Sequence, residues 1–510
     1  MNRHRLLWVA GAAYLATWVL ISWLTLPSLD AYGDMVENYA WSQAWAWGTF
    51  KHPPLFAWIV GAWFTAMPTR TWAYFVLSYV NAGVGLIGIV RLANLWLPAG
   101  VTFARREAFA AVVAVLAVLT FPYSNLAAKF NADTVLLSLW PWTAYAFFAA
   151  ITARDTRSRL VAAVGLGVAG AAAMLGKYYS GVLLASLFVI SLSHRDHRRW
   201  YATAGPYVAA CVFALVLAPH AAWEMREGLP ALRYVGTKID PAIGPTLILA
   251  FLLSGIYYAP LSWIAWLLMR RRIGSIAVPI RWAVPRRSLW LLATLPAVVT
   301  VLFNLFGRVH LTTHWAIPIW FALPAVLATD LLPQMSEDFP WRRFARGFAA
   351  FWLFVLAAAV AYTIVLSATS DPRYALGRAE MVRAIEDRFA ERLPSRRLSW
   401  AGGTWPESGA LAFFGSGHPR AMPGRPDEMP ALVNPYPGWR DTPGVILCYA
   451  WPQYGREGSH DTACEQSTRD WLRAHGRPVE VETVAYRPAG WRFIRSEPRN
   501  ATVFWVVPLP

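Results

Sequence analysis

Lysine is nearly missing from this chain, which has four in 510 residues: Lys51, Lys129, Lys177 and Lys238. Charge of either sign is scarce, with 15% of residues charged and 57% hydrophobic. Soluble domains carry about 25% charged and 45–50% apolar residues. The composition therefore excludes an ordinary soluble globule and predicts a polytopic membrane protein. Cysteine is also rare. Cys211 sits in an apolar run, whereas Cys448 and Cys464 lie in the polar C-terminal part. No zinc-ligand spacing is present. Outside the cytoplasm the last two could form a disulfide; two free thiols are the other reading. Internal repeats and low-complexity tracts are absent.

Arginine and long apolar runs are abundant instead. A net charge of +17 would suggest nucleic acid in a soluble chain. Here the arginines cluster in short loops between apolar runs, which is an orientation signal in membrane proteins, so nucleic acid is set aside. Arg3 and Arg5 precede a run too long for the core of a signal peptide; it is read as an uncleaved first helix. Runs able to span cover approximately 7–27, 72–97, 107–121, 134–152, 160–176, 178–193, 202–219, 246–269, 289–306, 315–332 and 346–367. The run 54–67 is too short to cross and is read as re-entrant or interfacial. With it excluded, the clusters at Arg105, Arg157, Arg198, Arg271, Arg286 and Arg342 all fall on the N-terminal side. The expectation is eleven spans in a bacterial inner membrane, with the N-terminus cytoplasmic.

That topology places 28–71, 122–133, the junction at Lys177, 220–245, 307–314 and everything after about 368 outside. All four lysines fall in or beside these segments, against the positive-inside bias. A compact ammonium suits phosphate, so the lysines predict an anionic ligand there; for Lys129 and Lys238 lipid headgroups are the alternative. After 368 glycine, proline and charge rise. A helical pattern over Ala379–Leu393 precedes strand-like runs at Gly444–Ala450, Val479–Tyr486 and Val503–Val507, with a helical Glu465–His475 between them. This texture predicts a small α/β domain over 368–510, following a membrane domain over 1–367.

Asp34, Glu37 and Asn38 stand at i, i+3 and i+4, on one face of any helix they form. Lys51-His52-Pro53-Pro54 follows shortly. Charges so near a bilayer boundary are costly unless functional, which predicts a reaction site at the membrane surface. Other outward-facing polar residues are Asn131, Asp133, Lys177, Tyr178, His220, Glu224, Arg308 and His314. Acidic loops with cations at several helix ends suit transfer from an anionic lipid donor. The acceptor hydroxyl needs a base, and the departing phosphate needs fixed positive charge. Plainer readings exist. Asp34 could be a helix N-cap, Asp133 could cap the span beginning at Thr134, and Glu37 could pair with an arginine. His220 and His314 could be interfacial packing residues, and Trp41, Trp45 and Trp47 are read as interfacial anchors.

Asp34 and Trp41-Ser42-Gln43, followed by Phe50-Lys51-His52-Pro53-Pro54-Leu55, resemble the first outer loop of the GT-C glycosyltransferases. That superfamily includes the protein O-mannosyltransferases and the lipid A aminoarabinose transferase. Phe130-Asn131-Ala132-Asp133 resembles its second outer loop. Gly176 to Ser180, Pro219 to Trp223 and Thr313 to Pro318 resemble later landmarks, so the resemblance covers residues 1 to about 367. It implies a mainly α polytopic membrane helix bundle with a small C-terminal α/β extracytoplasmic domain. It also implies Asp34 as catalytic carboxylate and Asp133 as a second acidic site residue, with Glu37 beside them. Lys177 is implied to hold the donor phosphate, with Lys51, His52, Tyr178 and Arg308 assigned to the same task. Asn131, His220 and His314 are assigned to substrate binding. Many relatives carry an acid before Pro-Pro where this chain has Lys51; that departure argues against a metal at the pair, and a divalent cation, magnesium or manganese, is left open without assigned ligands.

The implied activity is an inverting transfer of a sugar from a polyprenyl-phosphate donor to lipid A, lipopolysaccharide core or another envelope glycan. A protein hydroxyl acceptor is the alternative within the same fold. A lipid-linked sugar transporter or flippase is the alternative outside it. A transporter wants ionisable residues deep within its spans, and these spans hold almost none except at their ends.

Overall fold

The computed structural model describes residues 3–237, 245–272, 282–307, 312–335, 337–368, 376–403, 405–424, 436–448, 462–488 and 498–508. The membrane-type helices are α1 (Arg3–Thr25), α2 (Asp34–Ser42), α3 (Leu55–Ala66), α4 (Thr71–Trp96), α5 (Phe103–Val118), α6 (Leu136–Thr152), α7 (Thr156–Gly176) and α8 (Gly181–Ser193). They continue through the short α9 (Arg195–Arg198), α10 (Gly205–Arg226), α11 (Pro230–Gly236), α12 (Pro245–Tyr257), α13 (Pro260–Arg272), α14 (Arg286–Gly307), α15 (Leu323–Leu331) and α16 (Trp341–Ala368).

All eleven apolar runs are helical, but not all are unbroken spans. Among the described residues six helices are long and apolar enough to cross a membrane, or up to eight if two bent pairs each count once. The run 107–121 turns by 91° into Phe121–Ala128, and the run 246–269 bends by 49° ahead of Pro260. Proline explains the second break, because it clashes with the preceding turn and cannot donate to it. The runs 7–27, 134–152 and 178–193 form shorter apolar helices, Val9–Thr25, Leu136–Thr152 and Tyr178–Ser193. The run 54–67 is the 12-residue α3, as its length predicted.

The chain divides into two compact units. The first comprises Met1–Trp18, Lys51–Leu55 and Ser78–Ala349. Within it α7 packs on both α6 and α10, α8 on α14, and α5 on α15. The second comprises Val19–Phe50, Phe56–Leu77 and Ala350–Pro510. It contains α17 (Arg378–Arg392), α18 (Trp405–Phe414), α19 (Thr462–Ala474) and strands β1 (Trp400–Gly403), β2 (Arg420–Pro423), β3 (Gly444–Cys448), β4 (Glu480–Tyr486) and β5 (Arg499–Val506).

The strands form one sheet in the order β2-β1-β3-β5-β4. β1 runs parallel to β2 and β3, and β5 antiparallel to β3 and β4. Successive strand residues point to opposite faces. Val445 and Leu447 accordingly join Ile385 and Phe389 of α17 on one side, while Ile446 and Cys448 join Trp471 and Leu472 of α19 on the other. A Cys448–Cys464 disulfide fastens β3 to α19, so the paired reading of these thiols is the one observed.

Candidate active site

In the second unit the site residues sit on α2. Gly33 takes the position before this helix at φ 82°, in the left-handed region that favours glycine. The Asp30 carboxylate accepts from the backbone N–H groups of Asp34 at 3.0 Å and Met35 at 2.8 Å. It thereby satisfies two of the donors that a helix start leaves over. Capping therefore belongs to Asp30 and does not explain Asp34, the first helical residue. Asp34 is only half-buried, whereas Met35 to Ser42 are all buried, Glu37 and Asn38 included.

The loop ahead of α2 is held by Arg378, the first residue of α17. Its guanidinium donates to the carbonyls of Ser28 at 3.0 Å, Asp30 at 2.6 Å and Ala31 at 3.2 Å. The Arg378 backbone N–H meets Ser28 Oγ at 3.3 Å. Burial pulls the Arg378 pKa below its ordinary value, opposed by Asp30, Glu407 and Asp34. On the other side of α2 the Tyr74 hydroxyl donates to the Met35 carbonyl at 2.8 Å. Trp41 lies among the rings of Phe50, Phe56 and Trp405. At 2% exposure it is a core residue and not the expected interfacial anchor, whereas Trp45 and Trp47 are exposed.

In the first unit the structure joins Asp133 to Lys177. The Asn131 side-chain oxygen accepts from the backbone N–H groups of Asp133 and Thr134, both at 3.0 Å. This turn places Asp133 ahead of α6, and Asn131, expected to bind substrate, is engaged in shaping it. Lys177 is the extended residue between α7 and the turn leading to α8, with φ −164°. Its Nζ lies 2.5 Å from Asp133 Oδ1, with the side chains 12% and 15% exposed. The Trp315 ring centroid is 5.8 Å from the same Nζ, within cation–π range. Neighbouring residues brace the junction. Ser180 Oγ donates to the Ala173 carbonyl and accepts from Trp140 Nε1, and the Tyr179 hydroxyl pairs with Thr300 of α14.

Tyr178 is drawn to α10, where its hydroxyl lies 2.5 Å from His220 Nε2. His220 stacks on Trp223. Glu224, one turn beyond His220 on the same face, is 4% exposed. Its carboxylate faces the Tyr178 hydroxyl and the Ala231 N–H without closing a full hydrogen bond among the described residues. Ala231 lies in the first turn of the short α11, which carries Tyr234. That ring lies 6.0 Å from Lys51 Nζ and 6.2 Å from the His52 ring. Lys51, His52, Tyr178 and His220 are thus linked through the stretch from Glu224 to Tyr234.

His314 is exposed, on the turn that presents Trp315 to Lys177. Arg308 and Lys238 lie outside the described residues. Sequence reasoning missed Asp30, Tyr234 and Trp315. A capping carboxylate four residues ahead of Asp34 was a usable signal for the first; the two aromatics had none beyond proximity to a helix end. Among the described residues no three His, Cys, Asp or Glu side chains are grouped to hold a metal ion.

Residues 51–223 match the family model of dolichyl-phosphate-mannose-protein mannosyltransferases. That segment contains Lys51, His52, Asn131, Asp133, Lys177, Tyr178 and His220. The whole chain is similar to ArnT from Cupriavidus metallidurans in two crystal structures. The one bound to undecaprenyl phosphate gives a TM-score of 0.58 at 14% identity, covering 100% of both chains. The apo structure gives 0.52 at 15% identity, covering 98% of this chain and 100% of that one. No curated protein matches the chain significantly by sequence. The chain has the GT-C fold that its outer-loop motifs resemble.

Proposed function

We propose that this chain is an inverting glycosyltransferase that moves a sugar from a polyprenyl-phosphate donor to an envelope acceptor. The reaction takes place at the outer face of a bacterial inner membrane, with the N-terminus cytoplasmic and residues 368–510 extracytoplasmic. The observation that carries the reading is Lys177, held by Asp133 at a helix junction inside the family-matched segment. An ammonium has three donors; one meets Asp133, and the others are suited to a phosphate. Tyr178, Lys51 and His52 supply further contacts to the donor. His220 orients Tyr178, and Asn131 orients Asp133.

The acceptor hydroxyl attacks the anomeric carbon from the face opposite the phosphate. The new C–O bond forms as the bond to phosphate breaks, and the phosphate leaves with the electron pair as polyprenyl phosphate. Asp34 takes the hydroxyl proton. No acid is required for the leaving group, because a phosphate is stable as an anion. Glu37 lies one turn along the same helix, on the face that carries Asp34.

The test is turnover of purified protein with a polyprenyl-phosphate sugar. Asp34→Asn keeps the size but cannot take the proton, so turnover falls by about 10²–10⁴-fold with an unchanged thermal midpoint. Wild-type turnover in that variant would reject Asp34 as the base. A protein acceptor is the second reading, favoured by the description of the family model, whereas the full-length likeness to ArnT favours a lipid or glycan. Partition of a labelled sugar between the protein and lipid–glycan fractions of native membranes separates them.

A further inference from the structure

Within the first unit α7, α8 and α10 leave an open apolar groove of about 220 Å³. Its shape follows from helix spacing. A Cβ at Gly167 would meet the Ala209 carbonyl at 2.6 Å and Val212 Cβ at 2.7 Å, so α7 and α10 touch backbone to side chain there. At Gly170 the corresponding neighbours, Leu184 of α8 and Phe213 of α10, stand at 3.5 Å. Leu187 and Phe188 continue the wall along α8, and Trp200 and Tyr201 line the groove beyond it. Polar atoms of the lining gather at that end, where the Ser191 and Tyr201 hydroxyls hydrogen-bond at 2.6 Å.

The same end is basic. Between α8 and Trp200 the chain reads His194-Arg195-Asp196-His197-Arg198-Arg199. Asp196 is shared by Arg199 at 3.1 Å and His194 at 3.6 Å. Arg195 and Arg198 are exposed, and among the described residues neither has an acidic partner. An apolar groove with Ser191, Trp200 and Tyr201 at one end, bracketing in sequence two exposed arginines without an acidic partner, is complementary to a molecule with an anionic head and a hydrocarbon tail. Basic pockets between membrane helices recognise anionic lipid headgroups in this way.

We propose that this groove binds an anionic phospholipid, with one acyl chain along α7, α8 and α10 and its phosphate at Arg195 and Arg198. The donor's isoprenoid tail fits less well. Lys177 lies at the opposite end of α8, about 20 Å away along a 13-residue helix. At that end Ser180 closes the α7–α8 hairpin through its bond to Ala173. A donor with its phosphate at Lys177 leaves the arginine end uncompensated.

The experiment is native mass spectrometry of the full chain after incubation with equimolar phosphatidylglycerol and phosphatidylcholine. Wild type retains phosphatidylglycerol selectively. The double variant Arg195→Gln/Arg198→Gln loses that preference by roughly 30-fold, about fivefold for each arginine. Ala210→Phe fills the groove from an exposed position and displaces the lipid without touching either arginine. Equal retention of both lipids by wild type overturns the proposal, as does a preference that survives both variants. Displacement of phosphatidylglycerol by added polyprenyl phosphate would assign the groove to the donor tail instead. None of these readouts depends on the proposed turnover, so each reading can fail alone.

Discussion

Asp133 and Lys177 test the site at the scale of single residues. Each neutralises the other in a position about one-eighth exposed, where a lone charge is expensive. Asp133→Asn therefore costs stability as well as turnover, while losing less turnover than Asp34→Asn. The double variant Asp133→Asn/Lys177→Met is more stable than the sum of the singles predicts, with a coupling on the order of 1–3 kcal/mol. Thermal unfolding of the four proteins measures it, and strict additivity would deny the pair any energetic role. Lys177→Met alone raises the KM for the donor. The sequence made both residues legible as charges at helix ends. It did not reveal that they meet, because their contact is made across 44 residues by α6 and α7. The opposite limit is Trp41, whose burial depends on Trp405, a distant neighbour no local pattern announces.

Among elements, α2 and β3 carry the clearest expectations. Asp30→Ala removes the carboxylate cap of α2 and costs about 1 kcal/mol, read as faster hydrogen exchange at the Asp34 and Met35 amides. Protection unchanged at both amides would reject the cap. Cys448→Ser opens a disulfide with a sequence separation of 16 and costs about 3 kcal/mol by loop entropy, read as a lower thermal midpoint under oxidising conditions. Periodicity located α17 and β4 to within a residue or two of their ends. β1 and β2 escaped it, since Trp400–Gly403 and Arg420–Pro423 are four residues each, too short to show alternation. The bend at Pro260 was present in the sequence as a proline inside an apolar run. The end of α5 was likewise marked, by Pro122 where the apolar run stops at 121; the 3-10 character of the turn beyond it was not.

Orientation is a property of the whole molecule, and the arginine loops predict it. A phosphatase reporter fused at Pro510 is active and one fused after Arg287 is silent. Activity at both positions would sink the assigned topology. The long helices were legible from hydropathy alone, since burial in lipid imposes composition directly. The partnership of Val19–Phe50 and Phe56–Leu77 with Ala350–Pro510 was not. It rests on tertiary contacts such as those of Arg378 with Ser28, Asp30 and Ala31.

Those Arg378 contacts join groups as much as 350 positions apart, and the chain is made from its N-terminus onward. At about 5–20 residues per second the ribosome takes on the order of 20 to 70 s to travel that distance. Throughout that interval the segment carrying Asp34 is without its fastening. The loop ahead of α2 therefore waits for its fastening until most of the chain has been made. A message truncated before codon 378 yields a chain whose α2 loop lacks that fastening, read as faster proteolytic cleavage ahead of Asp34 than in the full chain.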